Sequence, residues 1–344
     1  MAQVCVGLIG FGLGGAKFHA PLISAEPRMR LKTVVTSRRE QLAHSFPGVA
    51  AAAAPDELFT DPEIELVVVC SPSATHAALA EAALEAGKHV VVDKPFAVTL
   101  DEADELLAIA ASRGRLISVF HNRRWDDNFR TVCESVRRGD LGRVVYFESH
   151  YDRFRPEVKP GWREETGPGA GVFYDLGPHL IDQALVLFGP PKSITADIGH
   201  LRSGAIADDY FHLILQYESM RAVLHSSTLV YRQGPRFMLH GEGGSLLTHG
   251  FDSQEQALAR GMRPGMAGFG MPNPGSQAVL SLADGSEKRL EMLPGSYATY
   301  YAGIAAALLD GTPPPVTPQE GRDSMLVLDC GLRSARERRT IDIP

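Results

Sequence analysis

Two short segments carry side chains that could move a proton and steady a developing negative charge. The first is Val90-Val91-Val92-Asp93-Lys94-Pro95-Phe96. Its apolar run predicts a buried parallel strand, and Lys94 would stand at the carboxyl end, where open α/β sheets bind ligands. Pro95 keeps Lys94 extended, away from helix. Without that setting a lysine reads as an ordinary solvated residue. The second segment is Gly171-Val172-Phe173-Tyr174-Asp175-Leu176-Gly177-Pro178-His179-Leu180-Ile181-Asp182. Helical from about Asp175, it places Asp175, His179 and Asp182 on one face by i+4 and i+7 spacing. Pro178 fits only a first turn, so these residues are expected at a helix start. A histidine between two carboxylates suits a general base, because imidazole titrates near neutrality and a carboxylate can orient it. The same residues also read as an Asp175 N-cap and a satisfied core histidine. No metal is expected there, since no second histidine shows ligand spacing.

A base and a cation need a partner that accepts electrons, and the start of the chain describes one. Val4–Ile9 is a short apolar run that enters Gly10-Phe11-Gly12-Leu13-Gly14-Gly15, with G-x-G-x-x-G at Gly10, Gly12 and Gly15. In a strand–turn–helix unit these glycines give a tight turn, close approach to a pyrophosphate, and close packing of the helix on the strand. The phosphates then meet free N–H groups at a helix start. In an NAD site an acid follows the second strand. Here Leu31–Val35 leads into Thr36-Ser37-Arg38-Arg39, with no acid before Glu40. Ser37 and Arg38 suit a 2′-phosphate, so NADP is expected over NAD, with NAD possible. The plainer alternative is that Arg38 and Arg39 only begin a solvated helix. Ser71, Pro72 and His76, beyond the strand Leu66–Cys70, are placed to wall the nicotinamide.

The elements that must hold these residues follow from periodicity. Strand-like runs at Val4–Ile9, Leu31–Val35, Leu66–Cys70, His89–Val92 and Leu116–Phe120 alternate with helical patterns. These include Ala74–Ala86, with Ser73 as N-cap and Gly87 at its end, and Asp101–Ser112, capped by Asp101. Such alternation implies βαβ units and a doubly wound parallel sheet over residues 1–120, a dinucleotide-binding domain. Residues 121–344 change character. A helix at Asn128–Arg138 is followed by strands at Val144–Arg153, Tyr210–Tyr217 and Ala222–Val230. Hairpins are expected at Arg236–His240 with Ser245–His249, and at Ala278–Leu282 with Glu287–Met292. A long loop spans Ala259–Gln277, and a last helix Gln319–Glu337. This predicts an α+β substrate-binding domain with a large, mostly antiparallel sheet.

The 344 residues, 44% hydrophobic and 22% charged, fit a globular two-domain protein. A net charge of −7 without a basic tract argues against nucleic acid. No signal-peptide pattern or membrane-length apolar run is present, so a cytoplasmic protein is expected. Cys5, Cys70, Cys133 and Cys330 show neither zinc nor disulfide spacing. Cys5 and Cys70 are expected in the core.

Three segments together resemble the Gfo/Idh/MocA family of NAD(P)-dependent sugar and polyol dehydrogenases over essentially the whole chain. They are the early glycine motif, Ala86-Gly87-Lys88-His89-Val90 leading into Asp93-Lys94-Pro95, and Asp175-Leu176-Gly177-Pro178-His179. Asp93 stands where family members more often carry Glu. His121-Asn122-Arg123-Arg124-Trp125-Asp126 and Asp152-Arg153-Phe154-Arg155-Pro156 are similar to the NADP-dependent scyllo-inositol dehydrogenase branch. The resemblance implies that Lys94, Asp175 and His179 form the catalytic set, and that the second sheet makes a homodimer or homotetramer. Asn122, Tyr151, Asp152, Arg153, Trp162 and Arg163 are candidate contacts to a small polyol or sugar. Other readings on the same fold are a non-catalytic NADP-sensing regulator, an aldose dehydrogenase, and a glycosidase that uses the redox step transiently.

Overall fold

A computed structural model describes residues 2–344. Six strands form the first sheet: β1 (Val4–Ile9), β2 (Met29–Val35), β3 (Ala50–Ala52), β4 (Leu66–Val69), β5 (His89–Val92) and β6 (Ile117–Val119). Their order is β3-β2-β1-β4-β5-β6, all neighbours parallel. The chain reverses its direction of travel across the sheet between β1 and β4, the switch point at which such sheets open a ligand crevice. Val4, Val6, Leu8 and all of β4 are fully buried, as expected for strands covered on both faces. This is the doubly wound α/β domain the sequence predicts.

Nine strands form the second sheet: β7 (Val144–His150), β8 (Ser193–Gly199), β9 (Tyr210–Gln216), β10 (Arg221–Ser227), β11 (Phe237–Gly241), β12 (Gly244–His249), β13 (Gln277–Leu282), β14 (Glu287–Leu290) and β15 (Ile341–Asp342). The order is β14-β13-β12-β11-β7-β10-β9-β8-β15, antiparallel except for β7 beside β10. Alternate residues Phe147, Phe211, Leu213, Leu215, Ala222, Leu224, Phe237 and Leu239 are buried on one face. The helices Asp127–Arg138 and Gly171–Phe188 pack on strands of this sheet. The two expected hairpins form at Gly241/Gly244 and between Leu282 and Glu287.

Packing divides the chain near the expected boundary and then assigns later segments to each unit in turn. Two compact units form: one runs to Asn122 and includes Gln254–Phe269 and Tyr297–Met325, and the other holds Arg123–Ser253, Gly270–Ser296 and Leu326–Pro344. The reason within the first unit is aromatic. Tyr297, Tyr300 and Tyr301 are fully buried. Tyr300 donates to Ser118 Oγ of β6 at 2.9 Å and packs edge-on against Phe120. Ser118 in turn donates to the Val316 carbonyl at 2.7 Å.

Several local expectations need correction. The helix after β4 starts at His76, and Ser73 begins a 3-10 turn ahead of it rather than capping it. The helix Leu100–Arg113 is capped by Thr99 in a capping box with Glu102, not by Asp101. β7 ends at His150, short of Arg153, and β10 is Arg221–Ser227. Strands β3, β8 and β15 and the helix Arg39–Ser45 complete the two layers.

Candidate active site

The glycine turn has the geometry its spacing implies. Gly10 has φ of +99°, and a Cβ there would meet the Cys70 carbonyl at 2.2 Å. A Cβ on Gly15 would lie 2.0 Å from the Gly10 carbonyl, so the chain after the turn crosses directly over the turn itself. Gly12 faces open space, with nothing within 4 Å of a Cβ position, which is the clearance a diphosphate needs. Beyond the turn the helix is not regular. Gly15–His19 is a π-turn, closed by the Ala20 N–H on the Gly15 carbonyl, and Ala20–Ala25 continues as α-helix. Pro21 has no N–H for the preceding turn, which breaks the i→i−4 ladder at this point.

Arg38 sits at the N-cap of Arg39–Ser45, exposed, and its guanidinium lies 3.5 Å from the Phe11 carbonyl in the glycine turn. Its N–H donates to Thr36 Oγ1. Arg39 merely begins the helix, so the two arginines part company: Arg38 leans to the turn and Arg39 to solvent. Ser37 is exposed beside them. These residues fit a dinucleotide with a phosphorylated adenosine ribose. Ser71 lies just beyond β4, its hydroxyl 2.7 Å from that of Thr75, and Pro72 is exposed.

His76 is held between two backbone carbonyls. It is 1% exposed, with Nδ1 2.8 Å from the Pro95 carbonyl and Nε2 2.9 Å from the Ser71 carbonyl. It clamps together the loops that leave β4 and β5, including the Lys94-Pro95 peptide, which is cis. Burial pushes its pKa down, against the opposing pull of Asp93 and the two carbonyls.

The loop after β5 is built around Asp93. Its Oδ1 accepts the Lys94 N–H at 2.8 Å, its Oδ2 takes the Cys70 thiol at 3.3 Å, and His19 Nε2 lies 3.6 Å away. Burial works against its charge, but His19, Lys94 and His76 together hold its carboxyl well below the usual range. His19 is fully buried and its Nδ1 lies 2.6 Å from the Tyr301 hydroxyl. Cys70, expected in the core, is only partly covered. His19 and Tyr301 were not visible as site residues; the one signal is a histidine two positions before a proline in the first helix. Lys94 itself is half-buried.

In the second unit the helix bearing Asp175 and His179 begins a turn earlier than expected, at Gly171, so Pro178 is interior. Asp175 is therefore not the N-cap. The N-cap is Ala170, and Asp208 satisfies the first-turn amides, its carboxylate accepting Phe173 N–H at 2.6 Å and its carbonyl accepting Val172 N–H at 2.8 Å. Burial pushes the Asp208 carboxyl up to about 6 despite the amide bonds. His179 is buried at 5% exposure, and Asp175, one turn away, is partly open. Arg163 Nε lies 3.4 Å and Arg153 3.8 Å from the Asp175 carboxylate. Arg163 stacks on Trp162, and Arg153, Arg123 and Arg236 lie over the buried Tyr151 ring. Burial lowers the Arg236 guanidinium to about 10.

Two expected members of this group are placed elsewhere. Asp182 receives a bidentate pair of hydrogen bonds from Arg124, at 2.9 and 2.6 Å. Asp152, between Tyr151 and Arg153, turns to the opposite face of the chain, because successive extended residues alternate. It accepts the Ser227 N–H and faces His150 and His225. Asn122 is buried at the start of a 3-10 turn, Asn122–Trp125.

Residues 4–121 match the sequence family described as oxidoreductase family, NAD-binding Rossmann fold, and residues 134–343 match its C-terminal alpha/beta domain. The chain belongs to the Gfo/Idh/MocA oxidoreductases. It is 46% identical to the uncharacterized oxidoreductase YdgJ of Escherichia coli over 98% of both chains. It is 40% identical to scyllo-inositol 2-dehydrogenase (NADP(+)) IolW of Bacillus subtilis, over 98% of this chain and 95% of that one. The solved structure of the oxidoreductase yvaA from Bacillus subtilis superposes with a TM-score of 0.96 at 38% identity, covering 100% of this chain and 99% of that one. The matched NAD-binding Rossmann fold, residues 4–121, lies within the first unit. Among the described residues no helix is long and apolar enough to cross a membrane.

Proposed function

We propose that this oxidoreductase transfers a hydride between a secondary alcohol of an inositol-like cyclic polyol or sugar and NADP. The observation that carries the reading is the setting of Asp175. A carboxylate beside two guanidiniums, one of them stacked on the partly exposed Trp162, offers donors, an acceptor and apolar surface. A polyhydroxylated ring presents the matching set. When bound, the nicotinamide supplies the hydride acceptor. His179 would take the hydroxyl proton as the secondary alcohol is oxidised to the ketone. Lys94 steadies the alkoxide charge as it develops, and Asp175 orients the reacting hydroxyls. The relative named as an NADP-dependent scyllo-inositol dehydrogenase supports both the substrate class and the cofactor. Ser37 and Arg38, with no acid among them, support NADP. Association into dimers or tetramers through the second sheet, in the cytoplasm, belongs to the same proposal.

The test is a screen of inositols and aldoses with NADP⁺ and with NAD⁺, following the absorbance of the reduced nicotinamide. Turnover of a cyclic polyol with higher kcat/KM for NADP⁺ is expected, and Ser37→Asp should shift preference to NAD⁺ by repelling the 2′-phosphate. Binding of NADP without turnover of any alcohol would leave the sensing regulator in its place.

A further inference from the structure

The face of the second sheet that carries Asp152 holds a cluster outside the redox site. Three imidazoles lie side by side across it, because register pairs His225 of β10 with His150 of β7 and with His212 of β9. Ring centroids are 5.2 Å apart for His150 and His225 and 5.5 Å for His212 and His225. Asp152 stands two residues beyond His150 on the same face. Its Oδ2 is 3.6 Å from His150 Nδ1 and its Oδ1 is 3.4 Å from His225 Nε2.

We infer that His150, Asp152 and His225 form a binding site for a divalent transition ion of the zinc class. Three observations support this. The separations are long for hydrogen bonds, whose usual length is about 2.9 Å. They run to different oxygens of one carboxylate, Oδ2 facing His150 and Oδ1 facing His225, and are somewhat longer than the edge of about 3.3 Å between ligands of a tetrahedral zinc, so an ion would draw the three side chains together. The three ligand atoms all lie within 4.8 Å of one another. The far nitrogens of both imidazoles have partners, and that of His150 is the carboxylate typical of a metal-bound histidine. His150 Nε2 is 2.7 Å from Glu148 Oε2, and His225 Nδ1 is 3.3 Å from His212 Nδ1. In the neutral tautomer that donates to Glu148, the His150 Nδ1 lone pair would be available to an ion held between it and Asp152. Asp152 is pinned by the Ser227 N–H at 3.0 Å, while in the single chain His150 and His225 stay partly exposed. Two nitrogens and one carboxylate oxygen suit zinc, cobalt or nickel rather than magnesium or calcium. Water would complete the coordination. The ion would tie β7, β10 and the chain after β7 together, a structural role separate from hydride transfer.

The experiment uses the full chain stripped with a chelator. Cobalt titration should give one equivalent per chain with the visible bands of a tetrahedral ion, and zinc should compete for it. His225→Gln and His150→Gln should each abolish stoichiometric binding, and Glu148→Gln should weaken it about 10- to 100-fold. His240→Gln, on β11, should leave it unchanged. Zinc should raise the unfolding midpoint of the parent by at least about 2 °C and leave the two ligand variants unmoved. Should a variant fail to fold, zinc must still shield His150 and His225 of the parent from acylation by diethyl pyrocarbonate. Absence of a stoichiometric ion, absence of shielding, or binding that survives His225→Gln overturns the assignment. The last result would move the ion to the His19, Cys70 and Asp93 group of the first unit.

Discussion

In the proposed reaction Lys94 and His179 have different roles, and kinetics can separate them. The alkoxide charge that Lys94 meets exists only in the transition state. Lys94→Ala should therefore lower kcat by about 100-fold or more, by comparison with loss of one oxyanion donor, while cofactor affinity changes little. Steady-state rates and NADP⁺ titration of the variant decide this; near-full turnover would remove Lys94 from the mechanism. His179 should show in the pH profile. Oxidation needs the neutral imidazole and reduction the protonated one, so oxidation should rise and reduction fall across a histidine-like transition. His179→Asn keeps the approximate size and removes the titrating group. Initial rates in both directions between about pH 5 and 10 should show lower activity and no lower transition. A transition kept in the variant would turn attention to Asp175.

At the scale of elements, the helix Asp127–Arg138 carries its own pH sensitivity. Asp127 is its first residue and fully buried, with Oδ2 lacking a hydrogen-bond partner. Burial, then the neighbouring Asp126 charge, pushes its carboxyl up to about 7, against the Asn128 N–H that favours ionisation. The folded form thus holds a proton that the unfolded chain releases near pH 4. Below that pH the contribution to stability is complete, and it is lost as pH rises towards 7. Asp127→Asn cannot titrate. Between pH 4 and 7 the unfolding midpoint of the parent should fall relative to that of the variant, and parallel curves would show that Asp127 ionises as freely folded as unfolded.

At the scale of the whole chain, the first unit depends on residues brought back from far along the sequence. The His19–Tyr301 hydrogen bond joins positions 282 residues apart inside a fully buried cluster. Tyr301→Phe keeps the ring and leaves His19 Nδ1 unsatisfied, which should cost about 1–3 kcal/mol. Denaturant unfolding with an unchanged slope and a lower midpoint is the expected result. An unchanged midpoint would mean that the hydroxyl contributes nothing net.

The sequence by itself determined the parallel sheet, the glycine turn, the change to a mostly antiparallel second domain and its hairpins. Each rests on a local signal: apolar runs of strand length, glycines at fixed spacing, and glycine-containing turns between strand-like runs. It also brought forward Lys94 at a strand end, and Asp175 and His179 at helical spacing. Only the tertiary structure decided what surrounds them. Asp208 satisfies the first-turn amides of the Asp175 helix from 35 residues away, so a proline that local rules place in a first turn lies inside the helix. Asp182 went to Arg124, 58 residues distant, and His76 to two backbone carbonyls. Asp152 was drawn to His225 by the parallel register of β7 and β10. Such partners are chosen by which buried charges and N–H groups would otherwise go unpaired, and that is settled across the fold rather than along the chain.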